Sequence, residues 1–176
     1  HHPPLRRQRQ MCIRDSLKVP LTSTLMGLGA FPANNKLFLG MLGMHGTYQA
    51  NMSMHNADLI LAVGARFDDR ITNTPALFAP NAKIVHIDVD PASISKIINA
   101  DIPIVGQVKE SLQALIKEIK RSKIKIDSDA IEDWISKINV WRDKHGLDHE
   151  IYMKHLKTKA ILPQAVVQEL YHATNG

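Results

Sequence analysis

The sequence predicts an α/β fold, a Rossmann-like doubly wound parallel sheet, and three observations carry that prediction. Leu59 to Val63, LILAV, is a continuous apolar run closed by Gly64, the pattern of a parallel strand buried on both faces. Lys83 to Asp90, KIVHIDVD, repeats the pattern with Ile84, Val85 and Ile87 and ends on two acids, Asp88 and Asp90. Between and after such runs lie glycine turns and stretches of helical periodicity, the alternation expected of strands covered by helices.

Composition narrows the class. A chain of 176 residues with 44% apolar content has enough hydrophobic material for a sizeable core. Of its formal charge of +5, Arg6, Arg7, Arg9 and Arg14 against Asp15 place +3 in the first sixteen residues, which leaves +2 for the rest. That distribution offers no basic face for a phosphate backbone, and a nucleic-acid partner is not expected. The single Cys12 allows no internal disulfide, in keeping with a reducing, cytoplasmic setting. No stretch is apolar for long enough to span a membrane.

Residues 1–16, HHPPLRRQRQMCIRDS, lack both helical and strand periodicity and any signal-peptide core, and read as a non-native-looking, disordered tail. From Val19 the α/β pattern begins. Val19 to Thr24, VPLTST, is a short β-rich run leading into Leu25, Met26, Gly27, Leu28 and Gly29, a turn of small residues where a backbone can approach a ligand. A second such turn, LGMLGMHG from Leu39 to Gly46, follows a short apolar stretch. Thr47 suits an N-cap and Tyr48 to Ala57 a helix, so the free amides of its first turn face whatever the glycine turn approaches; an anion such as a pyrophosphate fits there.

After the strand at Leu59 comes a loop with four charges, Arg66, Asp68, Asp69 and Arg70, at the carboxyl end of a strand, where parallel α/β sheets bind ligands. The two arginines either offer planar donors to an anion or pair with the neighbouring aspartates in a surface loop. Asn73 to Asn81 is a linker with Pro75 and Pro80. An acid at the end of the following strand can accept a ribose hydroxyl, whereas Asp90 before Pro91 can equally be a helix N-cap. Ile102 to Val105 is the last strand, closed by Gly106, and Val108, Leu112, Leu115, Ile116 and Ile119 mark one face of a helix. Trp134, Ile138 and Trp141 form a packing stripe further on. His55 and His86 read as structural, and His145, His149 and His155 lack metal-ligand geometry, so no metal site is assigned.

Three stretches carry a family resemblance: LMGLGAFP (Leu25 to Pro32), LGMLGMHGTYQANMSMHNADLILAVGARFDDR (Leu39 to Arg70) and IVHIDVDPASISK (Ile84 to Lys96). They resemble the central domain of the acetolactate synthase, or acetohydroxyacid synthase, family. The likeness runs from about Lys18 to Lys120, and ILPQAVVQELYHATNG, Ile161 to Gly176, is similar to the entry into that family's C-terminal domain. The domain reading is therefore a tail at 1–16, a central domain at 17–120, a helical connector at 121–160 and the start of a thiamine-diphosphate-binding domain at 161–176.

The resemblance implies a catalytic large subunit that joins two 2-oxo acids, pyruvate with pyruvate or with 2-oxobutyrate, in branched-chain amino-acid biosynthesis. It implies thiamine diphosphate and Mg²⁺ in flanking domains, FAD without net redox turnover in this one, a homodimer or tetramer and a small regulatory subunit. Matched motif by motif, the resemblance implies FAD contacts that include Thr24, Leu25, Gly27, Leu42, Gly43, Met44, His45, Gly64, Ala65, Arg66, Asp68, Arg70, Asp88, Val89 and Gly106. Arg70 and Met44 are implied at the second-substrate site, the first as an always-charged donor to a carboxylate, the second as a polarizable apolar wall.

The sequence also departs from the family pattern. Gln107 stands where an Asp is usual, and the family's N-terminal glutamate, its C-terminal Mg²⁺ motif and the first strand of its central domain have no counterpart. The stretch alone is expected to be catalytically silent and poorly stable, with an uncovered strand position between Val19–Thr24 and Leu59–Val63. Other thiamine enzymes, such as glyoxylate carboligase or pyruvate oxidase, and a noncatalytic dinucleotide-binding module are the alternative readings.

Overall fold

The computed structural model describes residues 18–123, 125–146 and 161–174; the tail at 1–16, Cys12, His149 and His155 lie outside the described residues. Two parallel sheets form. In the first, β1 (Leu21–Ser23) pairs with β2 (Phe38–Met41); in the second the order is β3 (Leu59–Val63), β4 (Lys83–Asp88), β5 (Ile102–Val105). The α/β class and the parallel pairing are as the sequence predicts. No ladder joins β1 to β3, which is the break anticipated between those two runs.

Strict register makes the second sheet two-faced. Ile60 lies opposite Ile84 and Ala62 opposite His86, while Leu61 lies opposite Val85 and Val63 opposite Ile87. Because side chains alternate along a strand, the even-numbered set faces one layer and the odd-numbered set the other. The first layer is a cluster of Ile60, Ala62, Phe67, Ala79, Ile84 and Ile98, closed by Met54 and Phe78. The second packs Ile87 on Leu112, with Val108, Leu115 and Ile116 around them, all from α3 (Val108–Ser122). The expected stripe on that helix is thus its sheet-facing side.

α1 (Tyr48–His55) begins where the sequence places it, with the Thr47 hydroxyl accepting the Ala50 amide at 3.2 Å, and ends sooner than the expected Ala57. The same hydroxyl donates to the Leu39 carbonyl, so one side chain caps the helix and ties it to β2. The short α2 (Asp69–Thr72) follows the charged loop. No helix starts at Pro91: the segment is a series of turns, with the Asp90 carboxylate accepting Ala92 N at 2.9 Å and Ser93 Oγ at 3.2 Å. Asp90 therefore caps a turn rather than a helix.

α4 (Ser128–His145) packs on the first sheet and its helix. Its Ile138 is buried against Leu39 of β2 and Ala50 of α1, flanked by Trp134 and Trp141. Arg142 Nη2 donates to the Lys36 carbonyl at 2.8 Å, and the Tyr48 and His145 rings lie 4.1 Å apart. α5 (Pro163–Thr174) leaves Val167 and Leu170 exposed. No helix among the described residues is long and apolar enough to cross a membrane.

Candidate functional site

The carboxyl ends of the second sheet are drawn level by two hydrogen bonds beyond the ladders. Gly64 N donates to Ile87 O at 2.8 Å and Gly106 N to Asp88 O at 2.9 Å, so Gly64, Asp88 and Gly106 stand side by side. Gly64 takes φ +60, and the closest atom a Cβ there would meet is Val108 Cγ2 at 3.8 Å. The turn is exposed and leaves bare backbone at the strand ends. Asp88 is buried, with Oδ1 accepting from Asp90 N at 2.9 Å.

Phe67 anchors the loop after Gly64. Its backbone sits at φ 39, a conformation that bulky residues rarely adopt, while its ring is buried edge-on against Phe78 at 5.7 Å and His86 at 5.2 Å. Burying that ring turns Arg66 outward on one side and leads the chain into α2 on the other. Asp68 ends the loop with its carbonyl accepting Ile71 N, Thr72 N and Thr72 Oγ1, but its Oδ1 is buried with no partner. His86 is fully buried, and neither of its ring nitrogens has a hydrogen-bond partner among the described residues.

A second turn meets this loop. Gly43 N donates to Asn51 Oδ1 at 2.9 Å and Asn51 Nδ2 donates to Gly43 O at 3.0 Å, so one amide grips both sides of the residue. Met44 N then donates to Arg70 O at 2.9 Å, and Arg70 Nη1 lies 3.9 Å from Met44 Sδ. Gly43, at φ +99, approaches so closely that a Cβ would lie 2.5 Å from Arg70 O. A cleft of about 360 Å³ opens between the two turns, lined by Gly43, Met44, Asn51, Asp69, Arg70 and Ile71, among others. Neither Arg66 nor Arg70 pairs with Asp68 or Asp69 among the described residues, so the surface ion-pair reading of this loop does not hold.

The residues singled out from sequence thus fall into three groups. Gly64, Ala65, Arg66, Asp68, Asp88, Val89 and Gly106 surround the strand ends; Gly43, Met44 and Arg70 form the cleft, with Leu42 and His45 beside them in the same turn. Thr24, Leu25 and Gly27 form a separate turn after β1, in which Thr24 Oγ1 accepts from Gly27 N at 3.2 Å and the neighbouring Ser23 Oγ is buried without a partner. Gln107 is the N-cap residue of α3 and makes no side-chain cap bond, the consequence of having no short carboxylate there. Two residues escaped the sequence reading, Asn51 and Phe67. A lone aromatic amid four charges and an amide near a helix start, facing a glycine turn, were the available signals.

Residues 11–115 match the family described as thiamine pyrophosphate enzyme, central domain. The chain is 48% identical over 162 residues to the acetolactate synthase isozyme 3 large subunit of Escherichia coli, covering 92% of this chain and 27% of that protein. It is 47% identical over 161 residues to the acetolactate synthase large subunit of Haemophilus influenzae, covering 91% and 27%. With acetolactate synthase 2, chloroplastic, of Nicotiana tabacum it shares 44% over 160 residues, 90% of this chain and 23% of that one. The chain spans about a quarter of the length of these relatives. With parallel strands, helices packed against them and glycine turns at the carboxyl ends, the chain belongs to the thiamine pyrophosphate enzyme family and carries its central domain.

Proposed function

We propose that this chain is the central part of an acetolactate synthase large subunit, which condenses pyruvate with a second 2-oxo acid in branched-chain amino-acid biosynthesis. The observation that carries the reading is the junction of Met44 and Arg70 over a cleft. A guanidinium there receives a carboxylate with two parallel donors, and the thioether beside it offers an apolar wall to a small alkyl group. Exposed and unpaired with Asp69, Arg70 is free to take a substrate's charge.

The strand ends fit FAD. Gly64 offers an open backbone turn, Asp68 Oδ1 is a buried acceptor lacking a donor, and Arg66 reaches solvent as a fork of donors. Gly64, Ala65, Arg66, Asp68, Asp88, Val89 and Gly106 hold the nucleotide at these ends, with Thr24, Leu25, Gly27, Leu42, Gly43, Met44, His45 and Arg70 completing its contacts. Thiamine diphosphate, anchored by Mg²⁺ when bound, supplies the electron sink for decarboxylation. The residues of this chain orient the flavin and receive the second oxo acid. A cytoplasmic homodimer or tetramer, with a small regulatory subunit, belongs to the same reading and rests on the likeness to large subunits.

The test is an assay of the complete gene product with pyruvate, thiamine diphosphate, Mg²⁺ and FAD. Acetolactate forms while the flavin stays oxidised. Flavin reduction coupled to oxygen or quinone would mark an oxidase instead, and tight FAD binding without product a noncatalytic module.

A further inference from the structure

We infer that Asn51 is a positioning residue for the second 2-oxo acid, fixing the Gly43 turn so that Met44 and Arg70 meet over the cleft. The inference rests on the proposed synthase reading and concerns a residue outside the glycine turn and the charged loop. Asn51 stands on α1, and its amide spans Gly43, accepting from its N–H at 2.9 Å and donating to its carbonyl at 3.0 Å. Asparagine carries both a donor and an acceptor on a short stem; aspartate keeps only the acceptor, and glutamine is a methylene too long for the same grip.

What this grip controls is set by the next peptide. Gly43 lies against Arg70 O so tightly that a Cβ has no room, and the following amide, Met44 N, bonds that same oxygen at 2.9 Å. The backbone contact therefore fixes the register in which Met44 Sδ lies 3.9 Å from Arg70 Nη1. Both side chains are exposed and hold little else in place, so their alignment depends on the turn beneath them. Asn51 also lines the cleft itself and stands at its boundary with a second cavity of about 280 Å³ whose lining includes Leu42, Met54, His55, Thr72 and Phe78. A slack turn lets the cleft wall move toward either space.

The experiment uses the complete gene product loaded with FAD, thiamine diphosphate and Mg²⁺, and compares wild type with Asn51→Ala, Asn51→Asp and Gly43→Ala. Pyruvate and 2-oxobutyrate compete as acceptors, and the product ratio, the KM for each acceptor, FAD affinity and the melting temperature are read together. Loss of hydrogen bonds of ordinary strength predicts that Asn51→Ala raises the acceptor KM roughly three- to tenfold and shifts the product ratio, with kcat and FAD affinity changing less. Asn51→Asp, retaining the acceptor to Gly43 N, falls between Asn51→Ala and wild type. Gly43→Ala, which presses on Arg70 O from the other side of the contact, shifts the ratio as well. An unchanged product ratio in Asn51→Ala and Asn51→Asp, or a uniform fall of kcat, FAD affinity and melting temperature without a KM split, overturns the inference while leaving the synthase reading intact. Absence of acetolactate from the wild-type enzyme overturns both.

Discussion

At Phe67 the backbone adopts φ 39 and the ring is buried beneath Phe78 and beside His86. An unfavourable backbone conformation persists when packing over-determines it, and here the aromatic cluster does so. Phe67→Ala removes both the ring and the reason for the turn. A loss of about 3–5 kcal/mol in denaturant unfolding is expected, together with weaker FAD binding, because Arg66 and Asp68 no longer leave the strand in fixed directions. A loss confined to stability, with flavin affinity intact, would separate the loop from the nucleotide. This residue also shows where sequence reading stopped. Arg66, Asp68 and Arg70 declare themselves by charge at a strand end, whereas a phenylalanine reads as generic core until its partners, Phe78 and His86, are seen to converge from other segments. Asn51 is the same case in polar form: the partner it grips, Gly43, lies one turn of helix and a loop away.

At the scale of elements, apolar periodicity predicted β3, β4, β5 and the sheet-facing stripe of α3, because each buries a face against its sequence neighbours. The stripe of α4 was legible too, but not its target. Ile138 packs on Leu39 and Ala50, and nothing in a local pattern identifies so distant a partner. Ile138→Ala is expected to cost about 2–5 kcal/mol and, in hydrogen exchange, to expose the amides of α1 and β2 while sparing β3–β5. Equal deprotection of both sheets would contradict the separate clusters. At the head of α3, Gln107 occupies the N-cap without bonding the first turn. Gln107→Asp supplies a short acceptor close to the helix's positive end and should raise stability by about 1 kcal/mol, read as a shift in the denaturation midpoint. That gain should be present at neutral pH and fade in acid as the new carboxylate protonates. Further along the helix, the Arg121 guanidinium holds the Glu118 carboxyl below its ordinary range. A depressed carboxylate contributes above its unfolded pKa and loses that contribution as pH falls, but the pair is fully exposed and solvent screens it.

For the molecule as a whole, two parallel sheets stand where a single doubly wound sheet was expected in incomplete form, and the break falls between β1 and β3 as anticipated. Among the described residues β1 pairs with β2 alone and β3 with β4 alone, so each presents a free edge, and Leu59 at the start of β3 is 58% exposed. The fold class was readable because buried parallel strands write continuous apolar runs. The pairing of the Gly43 turn with the Arg70 loop was not, since it is made by backbone groups that every residue has. That pairing nevertheless underlies the proposed reading, in which a cleft with Met44 on one wall and Arg70 on the other would receive the second oxo acid. The most direct test is to measure carbon dioxide release and acetolactate formation from pyruvate side by side in the complete gene product and its Arg70→Ala variant. On that reading acetolactate falls tenfold or more for the loss of a charge-assisted contact, and carbon dioxide far less, because a decarboxylated two-carbon unit that meets no acceptor takes up a proton and leaves as acetaldehyde. A parallel fall of both products, or no fall in either, would contradict it.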